Sequence, residues 1–513
     1  MSDSSVSHVV HTETPDPRRW FALVVIGIAQ LMVILDASIV NIALPHASLP
    51  KALGGLAIAP KNYQWAITAY SLTFGGFLLL GGRVGDYMGR KKSFLIGLLG
   101  FAGASLLGGF AQNQQWLFGA RALQGLFGAL LAPAALSLIS VTFTDSKERA
   151  KAFAVYGALA GVGGAIGLIA GGLLTQYLSW RWCLFVNTPM AIIAFTLAVP
   201  NVRESKVEGH PHYDVPGALT ATAGMLSVVF GVSQASTGDG WGSTSAWPFL
   251  ALGAFLLLVF FVIESRIKEP LLPLRLITDR VRAGAFLAQL FVGLGLFGMF
   301  LFMTFYFQNV EQYSAIKTGL LFMPFAIGVI LAAGMTSQWL PKFGPRPLAT
   351  IGNLMAAFGL LYLSFIKVDS SYVSSVMPAM IVTSLGLGVA FVSIASTALF
   401  NVRPGDTGAA SAVLTTSQQI GGSFGTAISN TIVVSSGTAF LVAFNSHSRP
   451  PLTGSAALLL IARAHVHGYD ESFRFGSLML FVAAVLFFAL VNIDRGHLGQ
   501  HDDVATEAYP AST

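Results

Sequence analysis

Stretches of about twenty consecutive apolar residues recur along the whole chain, and this recurrence limits the fold more than any other feature. An α-helix rises about 1.5 Å per residue, so roughly twenty residues match the ~30 Å hydrocarbon core of a bilayer. Candidate spans fall at 20–44, 63–81, 93–111, 115–143, 152–176, 183–200, 214–234 and 246–263. Six more fall at 283–307, 318–340, 347–366, 374–400, 408–434 and 473–493, giving about fourteen helices. Charged residues are 10% of the 513, and the mean hydropathy is +0.69. Soluble domains carry about 25% charged residues. Too little polar surface remains here to cover a water-soluble body, so the expected class is an all-α integral membrane protein.

Lys and Arg sit in the short turns between spans. With the N-terminus inside, twenty of the 29 fall in inner loops, eight in outer loops, and Arg121 within a span. The excess of positive charge places both termini in the cytoplasm. It also accounts for the formal charge of +6 without a nucleic-acid partner. Cys183 is the only cysteine, which excludes an intrachain disulfide and a cysteine-based metal site. Residues 1–19 are polar and the first apolar run is a full span, so no cleavable signal peptide is expected. Two polar breaks, "NVRESKVEGHPHYDVPG" (201–217) and "ESRIKEPLLPLRLITDRVRAG" (264–284), suggest a 6+2+6 plan. Its parts are a cytoplasmic tail (1–19), a six-helix bundle (20–200), a linker region with two extra helices (201–282), a second six-helix bundle (283–493) and a cytoplasmic tail (494–513). The turn "GGRVGDYMGRKK" (81–92) has a degenerate echo in "LPKFGPRP" (340–347). Each follows the second helix of a six-helix half, as related repeats would. Residues 435–472 read as a long outer loop with some amphipathic character.

Within this apolar frame the polar residues stand out. Asp36, in "LMVILDASIVNIALP" (31–45), lies about 24 Å along the first helix from Trp20, inside the hydrocarbon but past its midpoint. A charged Asp near the centre of a membrane helix costs roughly 2.5–3.5 kcal/mol. It is either a structural carboxylate bonded to a neighbouring helix or a site that binds and releases a proton, and intramembrane ionisable groups favour the second reading. Asn41 is about 140° round the helix from Asp36, facing elsewhere, as a cavity-lining group or a helix–helix hydrogen bond. Arg121, in "WLFGARALQGLFGA", shares a face with Gln124, itself a candidate cavity-lining residue, and needs a carboxylate or carbonyl partner. It serves either to modulate a nearby carboxylate or as a hydrogen-bonding hub.

In the inner turn, Gly82, Gly85 and Gly89 permit close helix approach, and Asp86 is placed to accept from a helix N-terminus or to pair with Arg90 beside Lys91. Such a cluster is a candidate gate. Glycines in "YGALAGVGGAIGLIAGG" (156–172), among them Gly163, Gly167, Gly171 and Gly172, recur at a spacing that lets helix backbones touch. The polar helix "TGAASAVLTTSQQIGGSFGTAISNT" (407–431), with Gln418 and Gln419, is unsuited to lipid all round and is a candidate cavity wall. Tyr306 and Gln308, in "MFLFMTFYFQ" (299–308), are cavity candidates as well, although lipid-facing or core packing fits that stretch equally.

Catalytic motifs do not survive scrutiny. "GLGLFG" (293–298) and "GGSFG" (421–425) lie in apolar spans without the strand-to-helix context that a dinucleotide fingerprint or a nucleophile elbow needs. The chain has no Gly-Lys dipeptide, hence no Walker A loop for ATP, and no H-E-x-x-H metal motif; the pair His465 and His467 falls in the outer segment. An enzyme is not expected.

The motifs taken together resemble the major facilitator superfamily, specifically its fourteen-helix drug:proton antiporters. "LDASIVNIALP" is similar to that branch's first-helix signature, "GRVGDYMGRKK" to the superfamily's loop between helices two and three, and "RALQG" to its fourth-helix arginine motif. "SWRWCLFVNTP" (179–189) and "GDTGAASAVLTTSQQIGGSFG" (405–425) are also typical of the branch. The resemblance covers about residues 20–493. One departure is Leu168, where the fifth-helix antiporter motif usually has proline; a bend is lost there. The resemblance implies a plasma-membrane exporter of drugs or other apolar or cationic small molecules, with alternating access between two bundles and proton influx as the energy source. No cofactor or ATP is implied, and a monomer is favoured. In this reading Asp36 and Arg121 couple the proton, and the 82–91 turn gates the inner side. The rival is a dedicated exporter of one metabolite, such as an antibiotic, lipid or siderophore, and more remotely a transport-derived sensor.

Overall fold

The computed structural model describes residues 17–143, 145–205, 214–237, 244–267, 270, 272–402, 407–447 and 455–492. Helices account for nearly all of them. The first set is α1 (Arg19–Ala47), α2 (Trp65–Met88), α3 (Arg90–Gly109), α4 (Gln114–Thr142), α5 (Ser146–Tyr177) and the pair α6 (Trp182–Phe185) and α7 (Asn187–Asn201). Then come α8 (Val215–Thr237), α9 (Ala246–Arg266) and the short α10 (Leu274–Thr278). The last set is α11 (Arg280–Phe305), α12 (Ala315–Leu321), α13 (Met323–Phe343), α14 (Pro345–Leu363), α15 (Met377–Ala398), α16 (Thr407–His447) and α17 (Ser455–Leu490). Among the described residues, eleven helical stretches are long and apolar enough to cross a membrane. Helices α2, α5 and α14, of 24, 32 and 19 residues, lie packed among them.

Local chemistry sets where these helices begin. The Asn113 side chain accepts from the Trp116 N–H at 2.8 Å and starts α4; Asp279 accepts from the Arg282 N–H at 3.0 Å and starts α11. The turn and its echo prove to be one device. Gly89 joins α2 to α3 at φ +104°, and Gly344 joins α13 to α14 at φ +76°. Both occupy left-handed backbone that a side chain strains, so each pair of helices reverses direction across a single residue.

Apolar surface is disposed as lipid demands. Trp247, Phe255 and Leu258 of α9 are exposed and face outward, while α8 and α9 close on each other through Gly224, Gly231 and Gly253. One buried core gathers Phe94, Phe101, Leu138 and Phe143 inside the first set. A larger core runs from Ile39 and Ile42 of α1 into Phe302 and Phe322, so the outer ends of the two sets share packing.

The long outer loop expected at 435–472 is not a loop. Helix α16 continues to His447 and α17 starts at Ser455; residues 448–454 lie outside the described residues. The helical periodicity explains this: Leu460, Ala464 and Gly468, four residues apart, form one buried stripe of α17, and Gly437 and Gly468 let α16 and α17 approach each other at Ala464 and Val433.

The glycines of α5 meet two different neighbours. A Cβ at Gly163 or Gly171 would press on Leu31, Ile34 or Ile39, and one at Gly167 on Ser38 and the Leu35 carbonyl, all on α1. A Cβ at Gly172 would lie 2.7 Å from the Ala315 carbonyl oxygen and from the Ile316 Cα of α12. Gly172→Ala should therefore cost about 1–3 kcal/mol, read as a fall of several degrees in the melting temperature of detergent-solubilised protein. Gly164→Ala, with nothing within 4 Å of its Cβ, should leave that temperature unchanged.

Candidate functional site: a buried ion pair beside a cavity between the helix sets

Asp36 is wholly inaccessible, and three donors from two other helices surround its carboxylate. Arg121 Nη1 donates to Oδ2 at 2.5 Å, Gln124 Nε2 to Oδ1 at 2.9 Å and Asn187 Nδ2 to Oδ1 at 2.7 Å. Ser105 Oγ of α3 accepts from both amides, at 2.6 and 3.2 Å. Arg121 is anchored twice more, donating from Nε to the Ala66 carbonyl at 3.0 Å and from Nη1 to Gln124 Oε1 at 2.9 Å. Its guanidinium lies 4.5 Å over the Tyr70 ring. Helices α1, α2, α3, α4 and α7 thus meet at one polar knot. The i, i+3 spacing places Arg121 and Gln124 on one face of α4, and α7 begins at Asn187, which aims its side chain inward.

The knot is one wall of a cavity of about 330 Å³ between the two helix sets. Arg121 and Tyr70 are shared by both. Its other walls are largely aromatic, with Phe297, Phe300, Phe325 and Phe391 from the second set. Asn41, Gln418 and Gln419 supply polar edges, and Leu168 adds an apolar one. The cavity thus combines apolar surface with a few placed polar groups, as ligand pockets do.

Contacts across the outer mouth are specific. His46 Nδ1 and Gln308 Oε1 are hydrogen-bonded at 3.0 Å, and Gln308 Nε2 donates to the Ile42 carbonyl at 3.1 Å. The Tyr63 and Phe305 rings stack with centroids 4.5 Å apart, and Ile316 N–H donates to Gln176 Oε1 at 3.3 Å. Deeper in, Thr68 Oγ1 of α2 meets Thr426 Oγ1 of α16 at 2.9 Å. The α11 end that carries Gln308 is a π-turn, Tyr306–Val310, a helical irregularity common at functional sites.

Some sequence expectations are relocated by this geometry. Asp36 and Arg121 are brought together. Asn41, Gln418 and Gln419 line the cavity, with Asn41 on a different face from Asp36. Gln124 does not: both ends of its amide are consumed in the knot. Tyr306 is also absent from the lining; its hydroxyl bonds Glu311 Oε1 at 3.0 Å and the Lys367 carbonyl at 2.9 Å. Gln308 belongs to the outer contact. At the inner turn the side chain of Asp86 lies outside the described residues. The anion at the start of α3 is Glu204, whose carboxylate accepts from the Lys91 and Lys92 N–H groups at 3.0 and 3.2 Å. Arg90 Nη1 bonds Ser205 Oγ at 3.2 Å, and Lys91 Nζ bonds the Val199 carbonyl at 2.7 Å. The inner turn is therefore clasped to the end of α7.

Asn187, Tyr70, Ser105, His46 and Glu204 were missed as individual residues. Asn187 lay within "SWRWCLFVNTP", whose typical character was the available signal. Nothing in one sequence marks the other four.

Comparison with known proteins agrees with this architecture. The family description "Major Facilitator Superfamily" matches residues 26–426. The chain is 42% identical over 481 residues to the puromycin resistance protein pur8 of Streptomyces alboniger, covering 93% of this chain and 92% of that one. It is 35% identical to the cephamycin export protein CmcT of Amycolatopsis lactamdurans, with 86% and 90% covered. Among solved structures, a bacterial homologue of the human lysosomal transporter Spinster, inward-facing and unoccupied, has the same fold: TM-score 0.63, 16% identity, with 93% and 98% covered.

Removing one partner of a buried ion pair strands the other charge and costs about 3–5 kcal/mol. Arg121→Gln should lower the unfolding free energy by that order in detergent. The double variant Asp36→Asn/Arg121→Gln should recover part of the loss, giving a clear coupling energy in a double-mutant cycle.

Proposed function

Since this chain belongs to the Major Facilitator Superfamily, we propose that it exports apolar, drug-like small molecules across the cell membrane in exchange for protons. The observation that carries this reading is the contest for Asp36. A proton on Oδ2 would turn an acceptor into a donor directly opposite Arg121 Nη1. The proton and the guanidinium therefore compete for one oxygen, and Arg121 yields when the proton arrives. Asn187 Oδ1 is buried without a hydrogen-bond partner, so a turned Asn187 amide offers the acceptor that a protonated Asp36 requires. Because Arg121 also lines the cavity, its displacement alters the substrate wall. That is a physical link between the proton and the cargo.

Alternating access supplies the rest. The outer mouth is held by small contacts (His46–Gln308, Tyr63–Phe305), which a modest differential affinity can break. The inner turn clasped by Glu204 moves with α7 as a unit. A membrane potential of 100 mV contributes about 2.3 kcal/mol per charge moved, a useful gradient at one proton per cycle. No cofactor or ATP enters this cycle, and one chain encloses the whole cavity, so a monomer suffices. A second reading, export of one dedicated compound, is favoured by the single-antibiotic names of the relatives.

In proteoliposomes carrying an internal pH dye, wild type should acidify or alkalinise the lumen when a transported drug is added. Asp36→Asn should abolish that signal while retaining drug binding. An Asp36→Asn protein with wild-type proton movement would remove the basis of the antiport reading.

A further inference from the structure

We infer that the cavity selects uncharged aromatic compounds bearing carbonyl-type acceptors, and discriminates against organic cations. The inference rests on the transport reading and narrows its substrate class. Among the described residues, the lining contains no carboxylate, and its one formally charged member is the cationic Arg121. Asp36, the carboxylate nearest this wall, is wholly buried behind that guanidinium and fully engaged with three donors. A cation in the cavity would lose its hydration shell without a counter-ion and face a like charge.

Aromatic walls can attract cations, and this possibility is weakened by the geometry. Tyr70, the ring with the hydroxyl-bearing face at this wall, already has Arg121 stacked on it at 4.5 Å. The remaining rings are phenylalanines, and the best cation–π partner, Trp, does not contribute to the described lining. An uncharged ligand, by contrast, gains from the same four Phe faces. The side-chain amides of Asn41, Gln418 and Gln419 can donate to its carbonyl or ether oxygens and accept from its N–H or O–H groups. An anion would meet Arg121, but that guanidinium is already committed to Asp36, Gln124 and the Ala66 carbonyl. Anions therefore rank below uncharged compounds and above cations.

The coupling scheme points the same way. Protonation of Asp36 leaves Arg121 with its charge less compensated beside the cavity. That change repels a cation in the proton-loaded state and barely affects a neutral ligand except through wall shape.

The test is a matched series on one aromatic amide scaffold ending in an acetamide, a carboxylate or a quaternary ammonium. Affinities are measured by titration calorimetry with the full-length chain in detergent. The acetamide compound should bind at least tenfold more tightly than the quaternary ammonium. Gln418→Glu should raise quaternary ammonium affinity tenfold or more, and Gln419→Glu provides the same test if the first variant does not fold. Equal or tighter binding of the cation by wild type overturns the inference, as does failure of all three compounds to bind. The expected ranking without compound-dependent proton movement in proteoliposomes would uphold the cavity assignment and overturn drug–proton exchange instead.

Discussion

The rest of the structure depends on one buried ion pair. Asp36 and Arg121 belong to α1 and α4, and the pair is completed by Gln124 and by Asn187 at the first turn of α7. Buried pairs of this kind contribute little net stability, because desolvation offsets attraction, yet losing one partner is costly. The pair therefore works less as glue than as a constraint: five helices must meet in one arrangement for both charges to be satisfied. Of the two charges only Arg121 lies on the cavity wall, so a change at Asp36 would reach the cavity through the guanidinium.

Much of this was legible in the sequence because lipid makes charge conspicuous. Asp36 and Arg121 stand out since they are the only Asp, Glu, Lys or Arg within the first four apolar runs. Glycine spacing in α5 announced close packing, and the structure supplies its partners, α1 and α12. The turn at 81–92 and its echo at 340–347 read as a repeat from Gly and Arg alone, and Gly89 and Gly344 give that likeness a backbone conformation.

What stayed hidden were neutral or ordinary residues whose role comes from distant neighbours. Asn187 resembles any polar residue at a helix start until α7 is seen against α1, 151 positions away. Glu204 reads as one more loop carboxylate until the backbone of α3 is found pointing at it. Gln308 and Gln418 are chemically alike, yet the first holds the outer contact and the second faces the cavity. The segment 435–472 is polar enough to suggest a loop, yet its described residues are helical. A helix leaving the bilayer becomes polar without ceasing to be a helix.

The length of α16 has a mechanical consequence. Its 41 residues form one rod of about 61 Å. Gln418 and Gln419 sit about a third of the way along it, at the cavity, so the greater part of its length lies between the cavity and His447. Rigid tilting about that point acts as a lever with unequal arms, the longer one ending at His447. A rotation of about 10° would swing that end by roughly 6–7 Å over the ~40 Å that separate it from the cavity. A probe fixed near the top of α16 would thus amplify small rearrangements of the cavity wall into a displacement large enough to follow in real time.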